Sequence, residues 1–244
     1  MIRVLCWNAH LRRAPLDGLQ ALLEQEQPQA IAFQEVSEAM LIDLQATGRY
    51  RTHVAKDRRW AETPAYLIVG AETDVSGTLY EVNGSGDITR SIVGRICRWA
   101  ECIETQLVRI EALDLEIVNL HLTTGVGPIA RANQLRDLLR RISPARRTIV
   151  CGDFNCFGYG IGKIVGPLCA FRAKDYVLDE RNLIGAVLRD YGLTPLALHQ
   201  PTFPKARLYL DQVAVTGDLA GAHARVRDET FGSDHRPIVI ELVG

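Results

Sequence analysis

Apolar positions along the chain fall into two kinds of run. Ile2–Asn8 and residues 30–36 are short, nearly continuous apolar stretches, as expected of strands covered on both faces; residues 50–55, 65–70 and 148–150 and Ile238–Leu242 read alike. Residues 102–111 and 115–122 form a strand pair turning at Ala112-Leu113-Asp114, and residues 207–215 form a strand with Tyr209, Asp211, Val213 and Val215 on one face. Between these runs the period changes. Leu16, Leu19, Leu22 and Leu23 recur at helical spacing, with Pro15 suited to a first turn and Gln27-Pro28 ending the run. Helices are also predicted over residues 37–45, 129–142 and 179–191. In the second of these Leu135, Leu138, Leu139 and Ile142 face inward and Arg131, Arg136, Asp137 and Arg140 outward; in the third Gly192 is the stop. Residues 73–82 carry no clear period, and Asn83-Gly84-Ser85-Gly86-Asp87 is a turn cluster.

With 244 residues, 47% of them hydrophobic, and no Pro/Ser-rich linker or charge block, the chain is expected to form one domain over 1–244. A net charge of −1 means that any polyanion must be met by a local basic surface. No apolar stretch approaches the ~20 residues that span a bilayer, and no apolar leader precedes the first strand, so the expectation is a soluble, cytoplasmic protein. Of the six cysteines, Cys6 and Cys151 lie inside apolar strands, and no second pair accompanies Cys97/Cys102 or Cys151/Cys156 in a zinc spacing. Buried reduced thiols are the expectation.

Polar residues gather where the apolar strands end. Asn8 closes the first and Glu35 the second. His121 ends the second strand of the hairpin, on one face with Ile117 and Asn119; Asp153 and Asn155 follow the strand from Thr148. Each alone has a plain alternative. Asn8 and the G-D-x-N of 152–155 suit turns, Glu35 suits a solvated helix start, and His121 suits a structural imidazole. Asp211 points toward an apolar layer and needs an imidazole or Arg partner, since an unpaired buried carboxylate is destabilising. Asp234 and His235 sit on a loop before the last strand. As a set these are carboxylates, amides and imidazoles with no hydroxyl nucleophile, suited to metal-assisted hydrolysis of a phosphate ester. The glycines at 158, 160, 162 and 166 lack the Lys-Ser/Thr of a phosphate-cradling loop and read as a surface loop.

The stretches C-W-N-A-H, F-Q-E-V, V-N-L-H-L, C-G-D-F-N, Y-L-D-Q-V and G-S-D-H-R-P, in this order from residue 6 to 237, resemble the endonuclease/exonuclease/phosphatase family of metal-dependent phosphohydrolases. The resemblance implies an α/β fold, a four-layer α-β-β-α sandwich of two mixed β-sheets flanked by helices, with the site at one edge. It implies Mg²⁺ (or Mn²⁺) held by Glu35 with Asn8 and Asp234. It implies that Asp153 orients or deprotonates the attacking water or binds a second metal, and that Asn155 holds the phosphate. His235, paired with Asp211, would contact the phosphate and stabilise the pentacovalent transition state, with His121 as general acid or phosphate ligand. His121 stands where apurinic endonucleases carry Tyr, and His10 where they carry Asp. The Gln212 after Asp211 and its surroundings lack the inositol polyphosphate 5-phosphatase signature.

Three functions follow as hypotheses. The first is a Mg²⁺-dependent nuclease hydrolysing DNA or RNA by in-line attack of activated water, with Arg12, Arg13, Lys56, Arg58, Arg59 and Trp60 on loops rimming the site to grip phosphates and stack a base. A solvated loop with a half-buried Trp explains residues 56–60 as well, and is the favoured reading of that stretch. The second is a phosphatase or phosphodiesterase for a small phosphate ester or lipid head group. The third is a non-catalytic binding protein, against which the complete motif set argues.

Overall fold

The computed structural model describes residues 1–10, 15–57, 64–83, 91–92, 102–144, 146–158, 164 and 166–243. The first sheet is built from β1 (Ile2–Asn8), β2 (Ala30–Ser37), β3 (Arg51–Asp57), β4 (Ala65–Ala71), β11 (His223–Val226) and β12 (Ile238–Leu242), in the order β11-β12-β1-β2-β4-β3. The second holds β5 (Ser76–Asn83), β6 (Cys102–Ile110), β7 (Leu115–His121), β8 (Thr148–Asp153), β9 (Leu193–Pro195) and β10 (Asp211–Thr216), in the order β5-β6-β7-β8-β10-β9. Each sheet is mixed: β1 and β2 run parallel, as do β7 and β8, and the other neighbours are antiparallel.

The alternation of side chains along each strand builds the layers. In β1, Val4 and Cys6 face the second sheet and meet Ile117, Ile149, Cys151, Val213 and Val215 in the inter-sheet core, while Leu5 and Trp7 face outward. The helices α1 (Leu16–Glu26) and α2 (Glu38–Ala46) cover that outer face with Leu19, Leu22, Met40 and Leu44. On the other side α3 (Pro128–Ile142) and α4 (Glu180–Asp190) cover Val118, Leu120, Val150 and Ala214 with Leu135, Leu138, Leu139, Ile184 and Leu188. The result is the four-layer sandwich of two mixed sheets flanked by helices. Ser37 and Asp179 cap α2 and α4 through their side chains. No helix among the described residues is long and apolar enough to cross a membrane.

Several sequence expectations are corrected. The ambiguous segment after Thr73 is β5, fixed by pairing with β6 along its whole length. The strand predicted from Arg207 begins only at Asp211. Residues 204–206 make a short 3-10 turn, Arg207 adopts left-handed backbone (φ +54°), and Leu208 bridges back to Phe203 instead of joining the sheet. Lys56 and Asp57 belong to the end of β3 rather than to a loop, and Arg12, Arg13, Arg58, Arg59 and Trp60 lie outside the described residues. Arg131 does not face solvent. It is 0% exposed, its guanidinium 2.6 Å from Glu180 Oε1, and Nη1 donates to the carbonyls of Thr123, Thr124 and Val126. The helical period was right about α3, but it cannot see an acid on a distant helix. Cys6, Cys151, Cys156 and Cys169 are buried free thiols, as expected.

Candidate active site

Strand direction explains why the polar residues converge. β1, β2, β7 and β8 end at one edge of the sandwich, and β10 and β12, antiparallel to β8 and β1, begin there. In register, Asp153 stands opposite His121 on one side and Asp211 on the other, so three adjacent strands place an imidazole and two carboxylates in one row. Facing them on the first sheet are Asn8 and Glu35, with the loop carrying Asp234 and His235 entering β12.

The backbone is bent to aim these groups. Pairing of β2 with β4 shifts between Phe33 and Val36, a bulge in which Glu35 takes left-handed backbone at φ +52°. His10 (φ +48°) and Asn155 (φ +52°) share that uncommon conformation. Non-glycine residues there cost free energy, which a scaffold must offset. Gly152 leaves β8 at φ +137°, and a Cβ on it would lie 1.9 Å from Leu120 O, so only glycine lets β7 and β8 stay paired up to Asp153.

Asp153 is the hub. Asn8 Nδ2 donates to its Oδ2 at 3.1 Å and the Asn155 backbone N–H to its Oδ1 at 2.8 Å; His121 Nε2 lies 3.3 Å and His235 Nε2 4.0 Å from Oδ2. Burial alone would raise its pKa, but the charge and hydrogen bond of His121, the charge of His235 and the Asn155 N–H hold the carboxyl well below the ordinary range. Across the cleft His235 Nδ1 is 2.8 Å from Asp211 Oδ2, the imidazole partner expected for Asp211. Burial would push His235 down. The Asp211 carboxylate and its hydrogen bond, with Asp153 and Asp234 nearby, instead carry it up to about 10. Ser233 Oγ accepts from His235 N–H at 3.0 Å and donates to Asn8 O at 2.8 Å, and Trp7 Nε1 donates to His235 O, which ties the loop to β1.

Asn8 also donates to Glu35 Oε1 at 3.3 Å, and His121 Nε2 is 3.6 Å from the same oxygen. The structure therefore brings Asn8, Glu35, His121, Asp153, Asn155, Asp211, Asp234 and His235 to one edge. Asn155 closes an Asx turn with Asp153, the turn that G-D-x-N suits, and its Nδ2 donates to Leu122 O at 2.8 Å. One amide hydrogen is thus committed to the loop after β7.

Two residues were missed. Asp57, 3% exposed at the end of β3, sets Oδ2 3.7 Å from His121 Nδ1, opposite Asp153. In sequence it hides between Lys56 and Arg58, where an acid reads as a solvated charge. Asn119 reaches from β7 across the core, donating to Phe33 O at 2.9 Å, Ile68 O at 3.2 Å and Gln106 Oε1 at 3.1 Å while accepting from Gln34 Nε2 at 2.6 Å. Phe33 O is the carbonyl at which the Glu35 bulge begins.

The donor set suits a divalent cation. Glu35, His121 and Asp153 offer ligand atoms within 4.8 Å of one another, as do Asp153, Asp211 and His235. Glu35 Oε2, Asp211 Oδ1 and Asp234 Oδ1 are buried without a hydrogen bond, which is costly for carboxylates unless a cation compensates them.

Among solved structures, the chain is similar to the endonuclease/exonuclease/phosphatase of Beutenbergia cavernae DSM 12333, with 16% identity and a TM-score of 0.70, over 100% of this chain and 72% of that one. The endonuclease/exonuclease/phosphatase of Bacteroides vulgatus matches at 16% identity and a TM-score of 0.67, over 99% of both chains. A 3′ phosphatase from Neisseria, solved bound to a product DNA hairpin, matches at 16% identity and a TM-score of 0.63, over 100% of both. At such identities the likeness shows the shared fold. No curated protein matches the sequence. The profile of the Endonuclease/Exonuclease/phosphatase family matches residues 5–235, and the chain belongs to this family of divalent-metal-dependent hydrolases of phosphoester bonds.

Proposed function

We propose that the protein is a phosphodiesterase acting on nucleic acid, with its site at the Asp153 edge. The observation that carries the hydrolytic reading is the row His121–Asp153–Asp211 facing the buried, unpaired oxygens of Glu35 and Asp234. Glu35, Asn8 and Asp234 would hold Mg²⁺ or Mn²⁺. The bound cation supplies Lewis acidity toward a phosphoryl oxygen. Asp153, held ionised by its imidazole neighbours, accepts a hydrogen bond from the attacking water, orienting it or taking its proton. His235, kept protonated by Asp211, places a fixed positive charge against the phosphate as negative charge builds on its oxygens. His121, between Asp57 and Asp153, contacts the phosphate or protonates the leaving oxygen. Asn155 uses its remaining amide hydrogen toward the phosphate.

The nucleic-acid substrate is supported by the Neisseria 3′ phosphatase of the same fold, which holds a DNA hairpin. In sequence, Arg58, Arg59 and Trp60 follow directly on Asp57, whose carboxylate lies in the site. Glu35→Gln should lower turnover by orders of magnitude while leaving the fold intact; unchanged hydrolysis would reject the site. Activity is to be compared on single-stranded DNA, duplex DNA, RNA, bis-p-nitrophenyl phosphate and inositol phosphates across a salt series. Cleavage of a polynucleotide that falls steeply with salt supports the substrate class. Salt-independent turnover confined to small esters overturns it.

A further inference from the structure

His10 is the polar group at this edge to which the proposed roles give no part. The chain leaves β1 through Ala9, whose N–H still donates to Gln34 O at 2.9 Å, and then turns left-handed at His10. The His10 N–H donates to Asn8 Oδ1 at 3.0 Å, and the turn carries the imidazole back over the end of the strand. Its Nδ1 lies 3.3 Å from Asp234 Oδ1 and 3.9 Å from Glu35 Oε2. Those two oxygens are buried without a hydrogen bond, in residues 7% (Glu35) and 8% (Asp234) exposed. Glu35 comes from the strand on one side of β1 and Asp234 from the loop entering the strand on the other. One imidazole nitrogen therefore stands between two carboxylate oxygens that accept no hydrogen bond, and a strained backbone turn holds it there.

We infer that His10 is a ligand of the cation, and that its nitrogen makes the site select Mn²⁺ over Mg²⁺. This rests on Glu35 and Asp234 holding the cation. Mg²⁺ takes oxygen ligands and keeps its waters, so an imidazole adds little to its binding. First-row transition metals accept imidazole nitrogen readily, and a mixed nitrogen and oxygen set favours them beyond the ordinary affinity series. The competing arrangement is His10 as a mere counter-ion, its imidazolium neutralising the two acids. The two arrangements predict opposite effects of removing the ring. Loss of a ligand weakens Mn²⁺ binding, whereas loss of a competing cation strengthens the binding of every ion.

The test is calorimetric titration of the full chain with Mn²⁺ and with Mg²⁺ at one pH, together with pulsed EPR of the bound Mn²⁺, on the wild type, His10→Ala, His10→Asp and Glu35→Gln. His10→Ala should weaken Mn²⁺ by at least the ~10–100-fold that loss of a supporting partner costs, leave Mg²⁺ nearly unchanged, and remove a nitrogen coupling from the EPR spectrum. His10→Asp, which retains a ligand, should shift the preference toward Mg²⁺; a thermal melt of each variant confirms that it is folded. Tighter or unchanged Mn²⁺ binding in His10→Ala, with the nitrogen coupling intact, overturns the inference. If Glu35→Gln loses the cation while His10→Ala does not, only the role of His10 fails. If Glu35→Gln binds both ions as the wild type does, the cation site itself fails.

Discussion

Asp211 and His235 meet across the two sheets. Oδ2 of the first, at the start of β10, lies 2.8 Å from Nδ1 of the second, on the loop entering β12. Both are buried, so the pair is a fixed element of the cleft and not a surface contact. In the metal-free protein the His235 pKa lies at about 10, above its unfolded value. A raised imidazole pKa stabilises the fold fully below the unfolded value, ~6.5, and that stability is lost as pH climbs through the folded one. Imidazole NMR of the metal-free protein should show His235 still protonated at pH 8. In Asp211→Asn the proton should leave at lower pH, and the fall in stability above ~6.5 should be smaller and be complete at lower pH. A His235 titration unaffected by that substitution would refute the coupling.

Arg131 joins two loops that border the site. Its guanidinium binds Glu180 and the carbonyls of Thr123, Thr124 and Val126, and stacks over Phe157, whose N–H donates to the second Glu180 oxygen at 3.0 Å. Removing one partner of a buried pair strands the other's charge, which costs about 3–5 kcal/mol. Arg131→Met is expected to lose that much in urea unfolding. A loss below ~1 kcal/mol, the range of surface pairs, would show that the charge finds another partner.

Gly152 carries the tightest backbone approach at the site. Any Cβ there runs into Leu120 O, a backbone atom that can move only if β7 and β8 part. Gly152→Ala should therefore cost more than the ~1–3 kcal/mol of an ordinary strained conformation, and soluble protein should lose cation binding. Wild-type melting and affinity in this variant would contradict the pairing of Leu120 with Gly152.

The strand ends were legible because alternation and terminal polarity are local signals. Asn8, Glu35, His121 and Asp153 each close an apolar run, and topology brings the ends together. What escaped depends on partners remote in sequence. Asp57 looks solvated between two basic neighbours until β3 is seen to end against His121. Arg131 occupies an outward helical position until Glu180 of α4 packs against it. The turn that G-D-x-N suits is the one that forms, through the short-range bond from the Asn155 N–H to Asp153, and what the sequence does not reveal is the bond from the Asn155 amide to Leu122 O. Asn119 was seen to share a face with His121, but the period does not tell that this face meets the bulge of the opposite sheet.

That contact yields the most specific consequence for the site. The Asn119 amide caps Phe33 O and Ile68 O where β2 and β4 fall out of register, and it connects Gln34, the residue before Glu35, with Gln106. Asn119→Ala leaves these buried groups unpaired, at ~1–3 kcal/mol for each that finds no water. Loss of stability alone would only mark a structural residue. If the amide fixes the bulge that aims Glu35, the folded variant should also bind Mn²⁺ less tightly. Leu139→Ala, in the helix-covered core behind the second sheet, supplies the control, since it should lose ~2–5 kcal/mol through its cavity. Calorimetry below the melting transition should find Mn²⁺ affinity reduced in Asn119→Ala and retained in Leu139→Ala. Equal affinities would reduce Asn119 to a core contact, with the aim of Glu35 set by the backbone of β2 alone.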